Sequence, residues 1–240
     1  MTGKGDGVQK PRRFYKAVTV GEIEGGHVVL LDGRAPKTPS GRKVVLPTPA
    51  LAALVAADWD AQAEEIDTLR MPAQRLAATA IDRVGGVRAD VADEITRYAG
   101  SDLLCYRAES PASLVEAQSL AWDPMLDWAA EDLGLRLTAV GGVIHRAQPE
   151  GSLARIRALA LALDDFGLTA LAHAASLLGS AVLALALQRG RLDGQGAHDI
   201  ARLDEAWQEE RWGVDYEAAD RTAARLQEAL LLERWFRALG

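Results

Sequence analysis

The apolar period of this chain switches once, at Thr48, and a chain with two periods must fold as two regions of different class. From Phe14 to Leu46 the pattern is strand-like, with apolar and β-branched residues alternating every two positions. After Thr48 the apolar residues recur with the 3.6-residue period of helices. A charge shift falls at the same place. Residues 1–48 carry nine Lys/Arg and four Asp/Glu, whereas residues 49–240 carry eighteen Arg and thirty Asp/Glu. Pattern and charge changing together mark a domain boundary. The expected fold class is α+β, mainly α: a small N-terminal β-rich domain, then a larger multihelical domain packed as an orthogonal bundle. Residues 1–12 are expected to be a disordered tail, 13–70 the β-rich domain with its first helix, and 71–240 the all-helical domain.

Local signals fill in this outline. Asp32-Gly33 between Val28–Leu31 and Arg34–Thr38 reads as a two-residue hairpin turn, because both central positions need positive φ. Arg42–Leu46 supplies a third arm. Thr48 as N-cap with Pro49 behind it opens a helix through about Ala63. Pro72 opens a second helix, ended by Gly85-Gly86. Further helices are expected at about 88–99, 112–122, 124–133, 149–165, 168–189, 195–211 and 216–239. Asp123-Pro124 is expected to break the pair at 122–124, since proline disfavours the α conformation in the residue before it. That break would send Trp122 and Trp128 to different helices. Gly134 supplies a C-terminal cap, and Leu135–Ile144 reads as an extended connector.

Several function classes lack the residues they need. Leu168–Gln188 has no Asp, Glu, Lys or Arg, but it holds His173, two serines and seven alanines, so a buried bundle helix is expected there, with no membrane insertion. The basic N-terminal segment has no aromatic stacking platform, so nucleic acid is not an expected partner. No two of His27, His145, His173 and His198 share a metal-ligand spacing, and His173 reads as a satisfied core histidine. Cys105, the single cysteine, excludes an internal disulfide and reads as a small core hydrophobe. No Gly-x-x-x-x-Gly-Lys or Gly-x-Gly-x-x-Gly loop is present, so neither metal nor nucleotide cofactor is expected. The first twelve residues carry no apolar run, which argues against a secretory signal.

Acidic pairs are plentiful, and one helix holding them repays a closer look. At ~100° per residue, Ile200, Leu203 and Trp207 of the helix predicted over 195–211 share one sector and form its core stripe. Asp204 and Gln208 flank it. Glu205 falls on the opposite face, next to Glu209 and one turn after Arg202. Glu205 and Glu209 repel at i, i+4 about as much as Arg202 attracts, so the cluster does little for the helix itself. Trp212-Gly213 ends this helix and is where an exposed tryptophan is first expected, since most of the six pack in cores or junctions. Two other classes stay open beside a binding protein: a hydrolase with a carboxylate pair in a helical cleft, and an adaptor for an undetermined partner.

Seven short motifs in order carry a resemblance. They are Arg13-Phe-Tyr-Lys16; Leu31-Asp-Gly-Arg34 with Lys37-Thr-Pro39; Trp59-Asp-x-Gln62; Met71-Pro72; Ser101-Asp-Leu-Leu-Cys-Tyr-Arg-Ala108; Gln118 with Trp122-Asp-Pro-Met-Leu-Asp-Trp128; and Leu203-Asp-Glu-x-Trp-Gln208 with Trp212-Gly213. From Arg13 to about Leu230 the chain resembles the assembly chaperones that hold the alpha subunit of the ATP synthase catalytic head. The resemblance implies a monomeric, non-enzymatic chaperone that shields unassembled alpha subunit until beta replaces it. It also implies a cytoplasmic location in a bacterium, with the mitochondrial matrix for eukaryotic relatives. It marks Glu205, with Asp204 as the adjacent alternative, as the acidic residue of the partner-binding motif. Gln208, Glu209 and Trp212 complete the expected contact set, and no catalytic or metal-binding residue is expected.

Overall fold

A computed structural model describes residues 10–142, 144–213 and 216–240. Contacts divide the chain into two units, one reaching to Asp82 and the other spanning Arg83–Ala238.

In the first unit, strands β1 (Val18–Ile23), β2 (Gly26–Leu31) and β3 (Val45–Leu46) form an antiparallel sheet in the order β1-β2-β3. The hairpin joins β1 to β2 through Glu24-Gly25, with Ile23 opposite Gly26 and Gly25 at φ 92°. The Asp32-Gly33 turn is also real: both residues have positive φ (46° and 82°), and Leu31 and Arg34 exchange backbone hydrogen bonds. Beyond Arg34 the chain leaves the sheet, through a stretch where Pro36 and Pro39 have no N–H to give a ladder. It rejoins only where Val45 and Leu46 pair with Val28 and His27. Helix α1 (Pro49–Asp60) then packs on the strands, burying Leu51, Ala52 and Val55, and the Thr48 hydroxyl accepts from the Leu51 N–H at 3.1 Å as the N-cap. Helix α2 (Pro72–Asp82) follows.

The disorder expected for residues 1–9 lies outside the described residues, but Lys10–Arg12 are tied down. Lys10 pairs with Asp67 at 2.8 Å, the Pro11 carbonyl accepts from the Ile66 N–H, and Arg12 bridges to Glu65.

The second unit contains α3 (Arg88–Gly100), a 3-10 turn at Leu103–Cys105, β4 (Tyr106–Arg107) and α4 (Ala112–Asp132). It continues with β5 (Val140–Gly141), α5 (Glu150–Leu161), α6 (Asp165–Leu178), α7 (Ala181–Gln188), α8 (Gly194–Ala201), α9 (Leu203–Trp212) and α10 (Tyr216–Leu239). Helix α7 is the centre: Ala181–Leu187 are all buried, and α3, α4, α6 and α8 contact it. Gly134 has the positive φ (73°) of the expected cap, and part of the connector after it forms β5, parallel to β4.

Three helix boundaries differ from the sequence reading. Helix α4 runs straight through Pro124, so Trp122 and Trp128 lie on one helix. Pro124 is exposed, as is Leu120, whose carbonyl loses its usual helical donor to the proline, so the break is not forced. The apolar stretch 168–188 is two helices, because Gly179 adopts φ 65° and Ser180 caps α7 by accepting from the Leu183 N–H. Among the described residues no helix is long and apolar enough to cross a membrane. The helix expected over 195–211 breaks at Arg202 (φ −109°, ψ 23°) into α8 and α9.

The segment 101–108 ties this unit together. Asp102 is fully buried and accepts from the Leu104 N–H at 3.1 Å and the Val182 N–H at 3.2 Å, with further donors in Ser180 and Ala181. It therefore pins both the 3-10 turn and the start of α7. Burial pushes its carboxyl up to about 6, against the pull of those donors. Cys105 is buried as expected, its thiol pushed up to about 12 by desolvation. Arg107 donates to the Leu104 carbonyl at 2.7 Å, pairs with Asp123 at 2.7 Å and lies 5.2 Å from the Trp122 ring centre.

The Asp102 carboxyl titrates higher in the folded chain than in the unfolded one. Its contribution to stability is therefore greatest at low pH and is lost as pH rises through about 6. Between pH 4 and 7 the native chain should lose about 2 kcal/mol relative to its Asp102→Asn variant, at ~1.4 kcal/mol per pH unit. Urea unfolding of both proteins across that range measures the difference.

Candidate functional site

Helix α9 starts where α8 stops, and the turn at Arg202 resets its phase. A wheel drawn through one continuous helix therefore overstates the burial of Leu203 and Trp207, although it keeps Glu205 on an outward face. The expected core stripe of Ile200, Leu203 and Trp207 does not exist: no residue of α9 is buried. Trp207 is half-buried and is held by Arg211, whose guanidinium stacks 3.5 Å from the ring centre, and by the edge of Trp212 at 5.9 Å. Arg211 also donates to the Ser113 hydroxyl on α4 at 3.2 Å.

The five expected contact residues separate into two groups. Asp204 faces inward and accepts from the Gln118 side-chain amide at 2.8 Å, while the Gln118 carbonyl oxygen accepts from the Ala108 N–H at 2.8 Å. Gln118 is buried, so Asp204 completes an internal relay from the 101–108 segment through α4 to α9. One turn of α4 later, the Trp122 indole N–H donates to the Ile200 carbonyl at 3.1 Å and fixes the end of α8. Glu205, Gln208 and Trp212 point outward, and Trp212 is 74% exposed. Glu209 lies between these groups, held by Arg202 at 2.6 Å.

Glu205 and Glu209 line a cleft of about 220 Å³ with Leu177, His198, Arg202 and Arg225 among its walls. Helix α6 ends here, and Arg225 on α10 donates to the Leu177 carbonyl, a cation at a helix C-terminus where it is favoured. His198 is buried with Nδ1 3.1 Å from Asp199, and its Nε2 has no hydrogen-bond partner among the described residues. The cleft is smaller than the ~300–1,000 Å³ of small-molecule sites, so its dimensions suit a single side chain. Arg202 and Arg225 have internal partners, whereas among the described residues no ion pair or hydrogen bond holds the Glu205 carboxylate.

Sequence reasoning placed Glu205 on an outward face but missed the cleft, because Leu177, His198 and Arg225 come from three other helices. It also misread His173, which is half-exposed and pairs with Glu228 at 3.0 Å. Among the described residues no cluster of His, Cys, Asp and Glu could hold a metal ion.

A family model described as the ATP12 chaperone protein matches residues 12–130. The mitochondrial protein atp12 of Schizosaccharomyces pombe is 28% identical over 215 residues, covering 84% of this chain and 74% of that protein. The crystal structure of Atp12 from Paracoccus denitrificans is 43% identical, covers 96% of this chain and 99% of its own, and superposes with a TM-score of 0.90. A crystal structure from Agrobacterium tumefaciens is also 43% identical, over 96% of this chain and 87% of its own, with a TM-score of 0.91.

The two tryptophans of the relay region should differ sharply in cost. Trp122 is fully buried, so Trp122→Ala should lower stability by ~3–5 kcal/mol. Trp207 packs on the surface, so Trp207→Ala should cost only about 1 kcal/mol. Denaturant melts of the two variants settle the ranking, and equal losses would contradict the surface placement of α9.

Proposed function

The chain belongs to the ATP12 chaperone family, and from that premise we propose that it is an assembly chaperone of the ATP synthase catalytic head, binding unassembled alpha subunit through α9. The observation that carries this reading is Glu205: an exposed carboxylate at a side-chain-sized cleft, on a helix that buries none of its residues, without an internal partner among the described residues. A surface helix that gives nothing to the core and shows an aromatic ring beside a free anion has the composition of a binding surface. Glu205 receives a basic side chain of the client, while Trp212 and Gln208 flank the contact. Glu209 keeps Arg202 away from that basic group, and Asp204 holds α9 to α4 rather than touching the client.

The mechanism needs no chemistry. Before assembly, alpha subunit exposes the apolar faces that later contact beta, and such faces aggregate. A protein that covers one of them lowers the concentration of the sticky species and yields when beta offers a larger interface. Affinities graded by ~1.4 kcal/mol per tenfold suffice to order the exchange. Among the described residues the carboxyl whose pKa is clearly raised, Asp102, is sealed in the core. The acid of a hydrolase would have to sit in a cleft, so the carboxylate-pair reading gains nothing from it. The work is placed where the head is assembled, in the cytoplasm of a bacterium or the matrix of a mitochondrion.

Glu205→Gln should leave the melt unchanged, within about 0.5 kcal/mol, and weaken binding of alpha subunit about tenfold or more, with Glu205→Lys weaker still. Stoichiometric native protein should suppress light scattering of refolding alpha subunit and leave unrelated aggregating proteins unprotected. Unchanged binding by Glu205→Lys would remove the site, and equal protection of any aggregating protein would replace the specific client by a general one.

A further inference from the structure

The sheet of the first unit ends at β1, and no strand pairs with its far side among the described residues. Ile23 and Gly26 flank a two-residue turn, so they exchange hydrogen bonds with each other, and the alternation of an antiparallel ladder then turns Gly21 and Thr19 inward to β2. Val18, Val20 and Glu22 therefore direct their N–H and C=O groups outward. Natural edge strands are guarded by lysine, proline, a bulge or a covering element. Val18–Ile23 has neither lysine nor proline, its one charge is Glu22, and it pairs with β2 continuously over all six residues. Val20 and Ile23 are each 39% exposed. This edge has what it needs to take another strand.

We propose that it takes β1 of a second copy of the chain, antiparallel about a two-fold axis through Val20, in a reversible dimer whose two sheets become continuous. The edge is self-complementary in one register. With Val20 opposite its own copy, Val18 faces Glu22 and Glu22 faces Val18, so every outward-directed residue meets another and all their donors and acceptors pair. The same register brings the exposed side chain of Lys16, just before the strand, toward that of exposed Glu24, in the turn after it, at both ends, and neither Glu22 meets its copy. A shift of two residues one way sets Glu22 against Lys16, whose N–H is already held by Asp32. A shift the other way sets Val18 against Glu24, which lies in the turn. Such a two-fold contact is closed and does not propagate into fibres. The monomer expected from the sequence is then the species present at low concentration.

Sedimentation velocity of the full chain over about 1 to 200 µM tests this, because a reversible dimer follows mass action. The expected result is a mass that doubles as concentration rises. Val20→Pro, which removes the N–H on the axis from an edge position that tolerates proline, should hold the chain monomeric with an unchanged melt. Lys16→Glu should weaken the dimer about tenfold, and Lys16→Glu with Glu24→Lys should restore it. The charge pair decides the matter even if Val20→Pro fails to fold. A chain that stays monomeric throughout overturns the proposal, as does a dimer that Lys16→Glu leaves unchanged. A monomer whose capture of alpha subunit is lost in Val20→Pro would assign the edge to the client instead and equally overturns self-pairing.

Discussion

An ionisable group taken wholly out of water has to be surrounded by donors, and the second unit is organised around that requirement at Asp102. Its carboxyl collects N–H groups from two helical starts, the 3-10 turn at Leu103–Cys105 and the first turn of α7, together with the hydroxyl that caps α7. Both starts have unpaired N–H groups and positive dipole ends, so the carboxylate and the two termini satisfy each other. The backbone of Leu103 adds a bond to the Gly179 carbonyl at the same place. Once the segment from Ser101 is fixed against α7, Arg107 and Ala108 stand where α4 can meet them, and Gln118 carries the connection on to α9. Losing the donors around Asp102 would detach this sequence of contacts at its first member.

The relay from Ala108 to Asp204 explains why a motif without catalytic residues can still be demanding about residue type. Gln118 has to accept at one end and donate at the other, which an amide does and a carboxylate cannot. Trp122 has to fill core volume and also reach a carbonyl. These are structural duties with a functional end point, because the element they position is the surface helix α9.

Much of the fold was legible in local chemistry. Thr48-Pro49, Asp32-Gly33, Gly134 and Trp212-Gly213 each act through one residue's own backbone preference or hydroxyl, and each appears where that chemistry places it. Failures came where two elements compete. Pro124 weakens a helix, but on a solvent face the loss is small and α4 runs on. Gly179 is one small residue inside an apolar run, and only the Asp102 donor requirement, some eighty positions away, makes a break there favourable. The site followed the same rule. Glu205 was readable as outward-facing, yet the wheel that placed it assumed that Trp207 was core, and the turn at Arg202 voids that assumption. The cleft itself joins residues from four helices, and no periodicity within one helix encodes it.

Helix α9 has no buried residue, whereas α7 is buried along nearly its whole length. The polar ties of α9 to α4 and α8 are therefore most of what keeps it folded, and such ties open locally at far lower free energy than a packed core. Amide protons along α9 should exchange with solvent by brief local opening, while those of α7 wait for the whole unit to unfold. The surface that meets another protein would then be the part of this unit that can fray and re-form without disturbing the rest.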